Sequence, residues 1–234
     1  MKLFRRVLLV VAVLLVLGAI GVVASDKPLR GGVERSIATQ LAAGVDAPVL
    51  PEVSLSGWPF AWHLLLRSFP RAELAVEQLT VETEAGPLTL KHLDMHLGEV
   101  RMLDDGIYAG SVNGTVLVPW DSIMSLAGYA VGDGGDGRMR VEVAAEVLGM
   151  SLRGGLTGVP ELDEETQTVT IVQPEVEILG MTVPQSVTDW VVSQFVPSIP
   201  IELPYGLRTT SLEVRESGLN VGVAGAELTM TEEG

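Results

Sequence analysis

The sequence predicts an α+β fold in which a curved, bulged, mainly antiparallel sheet wraps helices. Three observations lead to this class. Apolar residues alternate with a period of two over long stretches after residue 73, the alternation changes phase repeatedly, and strands follow one another without a regular strand–helix–strand order. At 234 residues and 47% apolar content the chain can form a substantial core, and with no cysteine it contains no disulfide.

The first 24 residues have the pattern of a targeting segment. Basic residues within the first six positions precede the charge-free run Val7–Val23. A helix of 17 residues spans roughly 25 Å, between the lengths of a signal peptide and of a membrane-spanning helix, so residues 1–24 are interpreted as a signal peptide or an N-terminal membrane anchor. We expect residues 25–234 to form a single domain outside the cytoplasmic membrane, in the periplasm or cell envelope, either anchored or released.

The charge balance is strongly acidic. The chain has 15 Lys and Arg residues against 30 Asp and Glu residues, which argues against a nucleic-acid partner. Without residues 1–24 the balance is 12 cations against 30 acids, a net charge of −18. Because anionic lipid repels such a surface, we expect no electrostatic adhesion to the membrane.

Four helices are predicted in the exported part, one of them the helix at residues 59–68 that is treated below. Residues 31–43 place Val33, Ile37 and Leu41 on one face of an amphipathic helix that needs a surface to lie on. A short helix is predicted at residues 119–126. Another is predicted at residues 184–195, with a proline in its first turn and an apolar face.

The strands are predicted from alternation and from its interruptions. The apolar phase slips near Glu77–Gln78, Lys91–His92 and Gly98–Glu99, and we interpret these slips as bulges that bend the strands and curve the sheet. Pro174, which lacks an N–H donor, predicts a strand edge or a break. A terminal hairpin is predicted from Leu212 to Val223 around a glycine-containing turn.

Two further segments are predicted to lie outside strands. Asn113–Gly114 begins a glycosylation sequon but is also a favoured turn pair, and we interpret it as a turn. The glycine-rich residues 132–137 are predicted to form a flexible loop, because they lack the ligand spacing of a calcium loop.

No catalytic residue, cofactor or metal site is predicted. The chain has no nucleophile elbow, no phosphate-binding loop and no dinucleotide-binding fingerprint. His92 and His96 lie in an alternating segment, and on a strand they are about 13 Å apart, too far for one metal ion. A pair of catalytic carboxylates among the 30 acids stays an open alternative.

The segment Trp58–Phe69 is the most unusual. Eight of its 12 residues are apolar or aromatic, and a helix at residues 59–68 that is apolar nearly all round must be buried or must meet lipid. It is therefore a core helix, a wall of an acyl-chain tunnel, or both. The candidates for binding lipid tails are Trp58, Phe60, Trp62, Leu64, Leu65, Phe69, Val187, Trp190, Val191 and Phe195.

Three arginines are candidates for the lipid headgroup. Arg67, Arg71 and Arg208 each follow an apolar segment, where a guanidinium could meet a phosphate. The alternative is that each is a solvated surface arginine.

Several short motifs resemble one known family. They are residues 53–60 (VSLSGWPF) followed by an apolar segment, residues 88–100 (LTLKHLDMHLGEV), and residues 203–208 (LPYGLR) before the terminal hairpin. In this order they resemble the LmeA-like phospholipid-binding family of actinobacterial cell envelopes, over roughly residues 31–230. The resemblance implies an exported lipid-binding domain similar to tubular lipid-binding proteins, with a role in maturing mannosylated phosphoinositide glycolipids.

Our hypothesis is therefore a non-enzymatic carrier or presenter of phospholipid, with a tunnel between the curved sheet and helices 59–68 and 184–195. About ten buried methylenes would contribute on the order of 8 kcal/mol before ordering costs. Two alternatives are an exported hydrolase or transferase acting on envelope glycolipid, and a scaffold for a membrane glycosyltransferase that binds no lipid.

Overall fold

The computed structural model describes residues 26–39, 42, 48–83, 86–104, 106–147, 150–178, 181–182, 184, 199–200, 203 and 206–231. The predicted segment 1–24 and most of the predicted helix at 184–195 lie outside these ranges. Three helices are described: α1 at residues 26–39, α2 at Phe60–Leu65 and α3 at Trp120–Ala127. None of the described helices is long and apolar enough to cross a membrane.

Most of the described chain is antiparallel sheet. In chain order the strands are β1 Glu52–Leu55, β2 Ser68–Thr83, β3 Gly86–Met102, β4 Gly106–Pro119, β5 Ala130–Gly135, β6 Arg138–Val147, β7 Met150–Asp163, β8 Thr168–Ile178, β9 Met181–Thr182, β10 Ile199–Pro200, β11 Arg208–Arg215 and β12 Gly218–Thr231. The first sheet has the order β1-β2-β3-β4-β12-β11. The second has the order β10-β8-β7-β6-β5, with β9 pairing to β8. The terminal hairpin β11–β12 is confirmed.

A row of interruptions, which we call the crease, crosses four strands of the first sheet. The ladder pairs are broken at Pro70 of β2, Glu99 of β3, Gly110 of β4 and Glu227 of β12. Glu99 and Glu227 have φ angles of 52° and 54°, in the left-handed region. A Cβ on Gly110 would lie 3.0 Å from the Glu99 side chain, which explains the glycine.

The crease keeps apolar residues on one face of the sheet. Ala109 and Val112 belong to the same buried cluster although they are three positions apart, a spacing that an uninterrupted strand would place on opposite faces. A second interruption lies where Glu77 faces His92, and there the register between β3 and β4 shifts by one residue. The bulge predicted at Lys91–His92 is therefore confirmed. The bulges predicted near Glu77–Gln78 and Gly98–Glu99 are wrong, because the ladders are interrupted there without a change of register.

The predicted curvature of the sheet is wrong. The first sheet is open, with β1 at one edge and β11 at the other, and it does not wrap the described helices. The interruptions of the crease fall on neighbouring strands in one row, so no strand gains length against its neighbours there. The stagger that a closed sheet requires therefore does not accumulate.

Helix α1 covers one end of the first sheet. Its Val33 and Ile37 pack against the buried cluster of Leu55, Phe60, Phe69 and Val100, as predicted for an amphipathic helix that needs a surface. The carboxylate of Asp26 accepts a hydrogen bond from the backbone N–H of Phe60 at 2.5 Å, and Arg30 donates to the carbonyl of Gly57 at 2.7 Å. These bonds attach the start of α1 to the segment that enters α2.

The second sheet contacts the first through a turn. Residues 164–167 connect β7 to β8, and the side chain of Gln167 donates to the carbonyl and accepts from the N–H of Thr209 in β11. Pro174 does not break β8. It lies at a register shift, where no described strand pairs with the outer side of β8, as expected for an edge position.

Three local predictions are wrong. Asn113–Gly114 is not a turn but the middle of β4, because strands pair with it on both sides. The glycine-rich segment 132–137 is mostly strand β5 and its turn into β6, not a loop. The helix predicted at 59–68 is only α2, because residues 68 and 69 pair with β3 and begin β2.

Candidate functional site

The candidate site is an open cavity of about 500 Å³ between α1, β1 and the middle of β2 and β3. This volume is within the usual range for sites that hold small molecules. The lining residues are Gly31, Glu34, Arg35, Ala38, Leu50, Pro51, Glu52, Val53, Ser54, Glu73, Leu74, Ala75, Asp94, Met95 and His96. Each of the three strands contributes a short stretch, and α1 forms the opposite wall.

The cavity combines an apolar wall with charged groups. Its apolar side chains are contributed by Ala38, Leu50, Val53, Leu74 and Met95. Leu50, which belongs to this wall, and the preceding residue Val49 are both about half exposed. An apolar ligand lying against this wall would remove it from water.

Two of the lining carboxylates already have partners. Glu34 accepts a hydrogen bond of 2.8 Å from the N–H of Leu55, which ties α1 to β1. Glu73 lies 3.8 Å from the imidazole of His96 on the neighbouring strand. Arg35 is exposed, and within the described ranges its guanidinium has no ion-pair partner. It is therefore the cation of the cavity that is available to an anionic ligand.

The predicted tail-binding residues that the structure describes do not line this cavity. Phe60 and Phe69 are fully buried with ring centroids 5.6 Å apart, and Leu64 packs against the same cluster. These three side chains therefore belong to the packed core and its edge. Val187, Trp190, Val191 and Phe195 lie outside the described residues.

The other described members of the predicted set, Trp58, Trp62 and Leu65, lie on the surface together with Leu66, which is not in that set. Trp58, Trp62, Leu65 and Leu66 are 67%, 58%, 74% and 56% exposed. We call these four side chains the tryptophan patch. The sequence predicts that segment 59–68 is one helix, buried or facing lipid on all sides. In the structure this segment instead has a buried part and an exposed part.

The three candidate headgroup arginines do not converge. Arg67 forms an ion pair of 2.7 Å with Asp104, and Arg208 donates to the carbonyls of Glu164 and Glu165. Arg71 is exposed at the start of β2. Arg208 is on β11, four strands from β2 in the sheet order, a separation of about 19 Å. A single phosphate cannot contact Arg71 and Arg208 together.

Sequence reasoning missed the residues that do line the cavity. Arg35 was overlooked because it does not follow an apolar segment. The one usable signal was the amphipathic helix at residues 31–43, whose need for a surface implies a boundary between helix and sheet.

Groups with shifted pKa values lie away from the cavity. Backbone and side-chain hydrogen bonds from Thr166 lower the pKa of Asp163, in the β7–β8 turn. Hydrogen bonds to Glu142 and Glu177 raise the pKa of Arg140 in the second sheet. Among the described residues there is no cluster of three or more His, Cys, Asp or Glu that could hold a metal ion.

Comparisons with known proteins give one result. Neither curated proteins nor solved structures yield a match to this chain. A family model described as LmeA-like phospholipid-binding matches residues 24–224, a range that includes α1, β1 and the whole cavity. The match covers most of the chain and agrees with the resemblance carried by the short motifs. The chain therefore belongs to the LmeA-like phospholipid-binding family.

Proposed function

We propose that this protein binds a phospholipid by holding an acyl chain in the cavity between α1 and the first sheet. The observation that carries the proposal is this cavity of about 500 Å³ with apolar side chains in its lining, in a chain of a phospholipid-binding family.

The energetics favour the tail as the buried part of the lipid. Each methylene removed from water contributes about 0.8 kcal/mol. A phosphate deep in the cavity would instead face the carboxylates of Glu52, Glu73 and Asp94. The phosphate therefore belongs at the mouth, where the guanidinium of Arg35 can donate hydrogen bonds to it.

We further propose the cellular setting and the type of activity. The protein acts outside the cytoplasmic membrane, in the periplasm or envelope, as a carrier or presenter of phospholipid and not as an enzyme, and it supports maturation of mannosylated lipoglycans. The basic start and the charge-free run Val7–Val23 support export, with cleavage or anchoring as alternatives.

Two neighbouring glycines provide a matched test of the cavity. A Cβ added at Gly31 or at Gly32 meets no atom within 4 Å, but only Gly31 lines the cavity. Gly31→Trp should fill the cavity, while Gly32→Trp adds the same side chain to the exposed face of α1. Both changes replace a helical glycine, whose helix propensity is lower than that of tryptophan, so neither change should destabilise α1.

The experiment is native mass spectrometry and lipid extraction of the purified full chain and both variants. We expect phospholipid to co-purify with the wild type and with Gly32→Trp, and at least tenfold less with Gly31→Trp. Lipid-free wild-type protein that also ignores added phosphatidylglycerol would overturn the proposal. Release of fatty acid or free headgroup from added phospholipid would favour the hydrolase alternative instead.

A further inference from the structure

Exposed apolar side chains concentrate at one end of the first sheet. This end is formed by the start of α1, by α2, and by the chain between β3 and β4. Of the ten large apolar side chains that are exposed among the described residues, seven belong to it: Leu29, Trp58, Trp62, Leu65, Leu66, Leu103 and Ile107. The hydrogen bond from Met102 N–H to the carbonyl of Arg67 joins the segment after α2 to the end of β3.

We propose that the tryptophan patch docks on the surface of a lipid bilayer. A patch of four large apolar side chains, each more than half exposed, is unusual on a soluble surface and marks an interaction site. Two of the four are tryptophans, whose rings have both an apolar body and a polar N–H and favour the interface between lipid and water.

The course of the chain points to a membrane as the occupant. Asp26 is bonded to the backbone of Phe60, at the first residue of α2. The charge-free run Val7–Val23 ends three residues before Asp26, at most about 10 Å even along an extended chain. A bilayer that receives this run therefore comes within reach of the tryptophan patch.

The charge at this end removes the main objection to membrane contact. Residues 26–30, 57–71 and 99–104, which meet here, contain five Lys and Arg residues and three Asp and Glu residues, a net of +2. The whole chain carries −15. The overall charge excludes electrostatic adhesion, but this end can approach an anionic leaflet and bind through apolar contacts.

Docking at this end would bring the cavity close to the bilayer. Gly31, which lines the cavity, is five residues along α1 from Asp26, a rise of about 8 Å. A lipid tail would then have a short path from the leaflet to the cavity. This consequence rests on the proposed function, whereas the docking itself does not.

The absence of cysteine allows a test with one introduced label. Leu65→Cys places an environment-sensitive fluorophore in the patch, in the full chain reconstituted into vesicles of phosphatidylcholine and phosphatidylglycerol. The control is Ser217→Cys, in the turn between β11 and β12. This turn is at the other end of β12, whose Gly218 pairs with Pro119 while Thr231 pairs with Gly106, about 43 Å away along the strand.

Quenching by phosphatidylcholine with brominated acyl chains is the measurement. We expect quenching of the label at position 65 and none at position 217. Trp58→Ser and Trp62→Ser should each lower the ratio of docked to undocked label by about tenfold. A label at position 65 with a water-like spectrum would overturn the inference. So would a blue-shifted but unquenched label, because the patch would then be covered by residues 7–23 or by a second copy.

The two proposals can fail separately. Loss of quenching with continued co-purification of phospholipid overturns the docking surface alone. Quenching at position 65 in a chain that binds no phospholipid in its cavity overturns the proposed function alone.

Discussion

Removing the carboxylate of Asp26 should detach α1 from the segment that enters α2. This side chain is 10% exposed and accepts a 2.5 Å hydrogen bond from the N–H of Phe60. A hydrogen bond to a charged group contributes about 1.5–3 kcal/mol. The ion pair with Arg30 is longer, at 3.4 Å, and one third of the Arg30 side chain is exposed, so it adds at most about 1 kcal/mol.

We therefore expect Asp26→Ala to lower the free energy of unfolding by about 2–3 kcal/mol. Asp26→Asn keeps an oxygen that can accept from Phe60 and should lose only about 1 kcal/mol. The control is Asp121→Ala, at an exposed acid in the first turn of α3, which should lose less than about 1 kcal/mol.

The assay is urea-induced unfolding of the full chain in detergent micelles, followed by circular dichroism. A loss for Asp26→Ala no larger than that for Asp121→Ala would refute the attachment of α1 through this carboxylate. Equal losses for the alanine and asparagine variants at position 26 would show that the charge matters and the hydrogen bond to Phe60 does not.

Three further predictions concern the core, the crease and pH. Phe69→Ala should lower the free energy of unfolding by about 3–5 kcal/mol because Phe69 is buried, and Trp62→Ala should lower it by less than about 0.5 kcal/mol because Trp62 is exposed. Equal losses in urea-induced unfolding would contradict the division of segment 58–69 into a buried and an exposed part. Glu99→Asn should raise the free energy of unfolding by about 0.5–1 kcal/mol, because asparagine adopts the left-handed region more readily than glutamate. The control Glu161→Asn, in an ordinary part of β7, should not raise it. A lower free energy of unfolding for Glu99→Asn would count against backbone strain at Glu99. Turn hydrogen bonds lower the pKa of Asp163, so their contribution is complete above its ordinary value of 3.8 and is lost as pH falls through the lower folded value. The unfolding midpoint of Asp163→Asn should therefore fall less steeply than that of the wild type as the pH falls below 3.8. Identical slopes would exclude the turn as a cause of the loss of stability in acid.

The sequence predicts those parts of the fold whose signals are local. The β11–β12 hairpin follows from alternation around a glycine-containing turn, and the phase slip at Gly98–Glu99 marks an interruption of the ladders, although not a bulge. Asn113–Gly114 was mispredicted because its turn preference is weaker than the ladders that pair β4 on both sides. Ser68 falls within the predicted helix for the same reason, since its strand partner Arg101 is 33 positions away.

The candidate site could not be predicted in the same way. Its walls are α1 and stretches of β1, β2 and β3, which come together only after the sheet has formed. Segment 58–69 was correctly identified as unusual, but its composition does not say which half is buried. That division depends on where the chain turns into β2 and packs Phe69 against Val100.

The crease also restricts how the lengths of these strands can change. Deleting one codon at Glu99 would move the rest of β3 by one position against both neighbours and turn its inward side chains outward. Compensation would need matching deletions near Pro70, Gly110 and Glu227, so that the chain would have to change in four separate places at once. Point substitutions can accumulate there one by one, but insertions and deletions cannot. We expect length variation among relatives to be confined to the loops, with a constant residue count in these four strands.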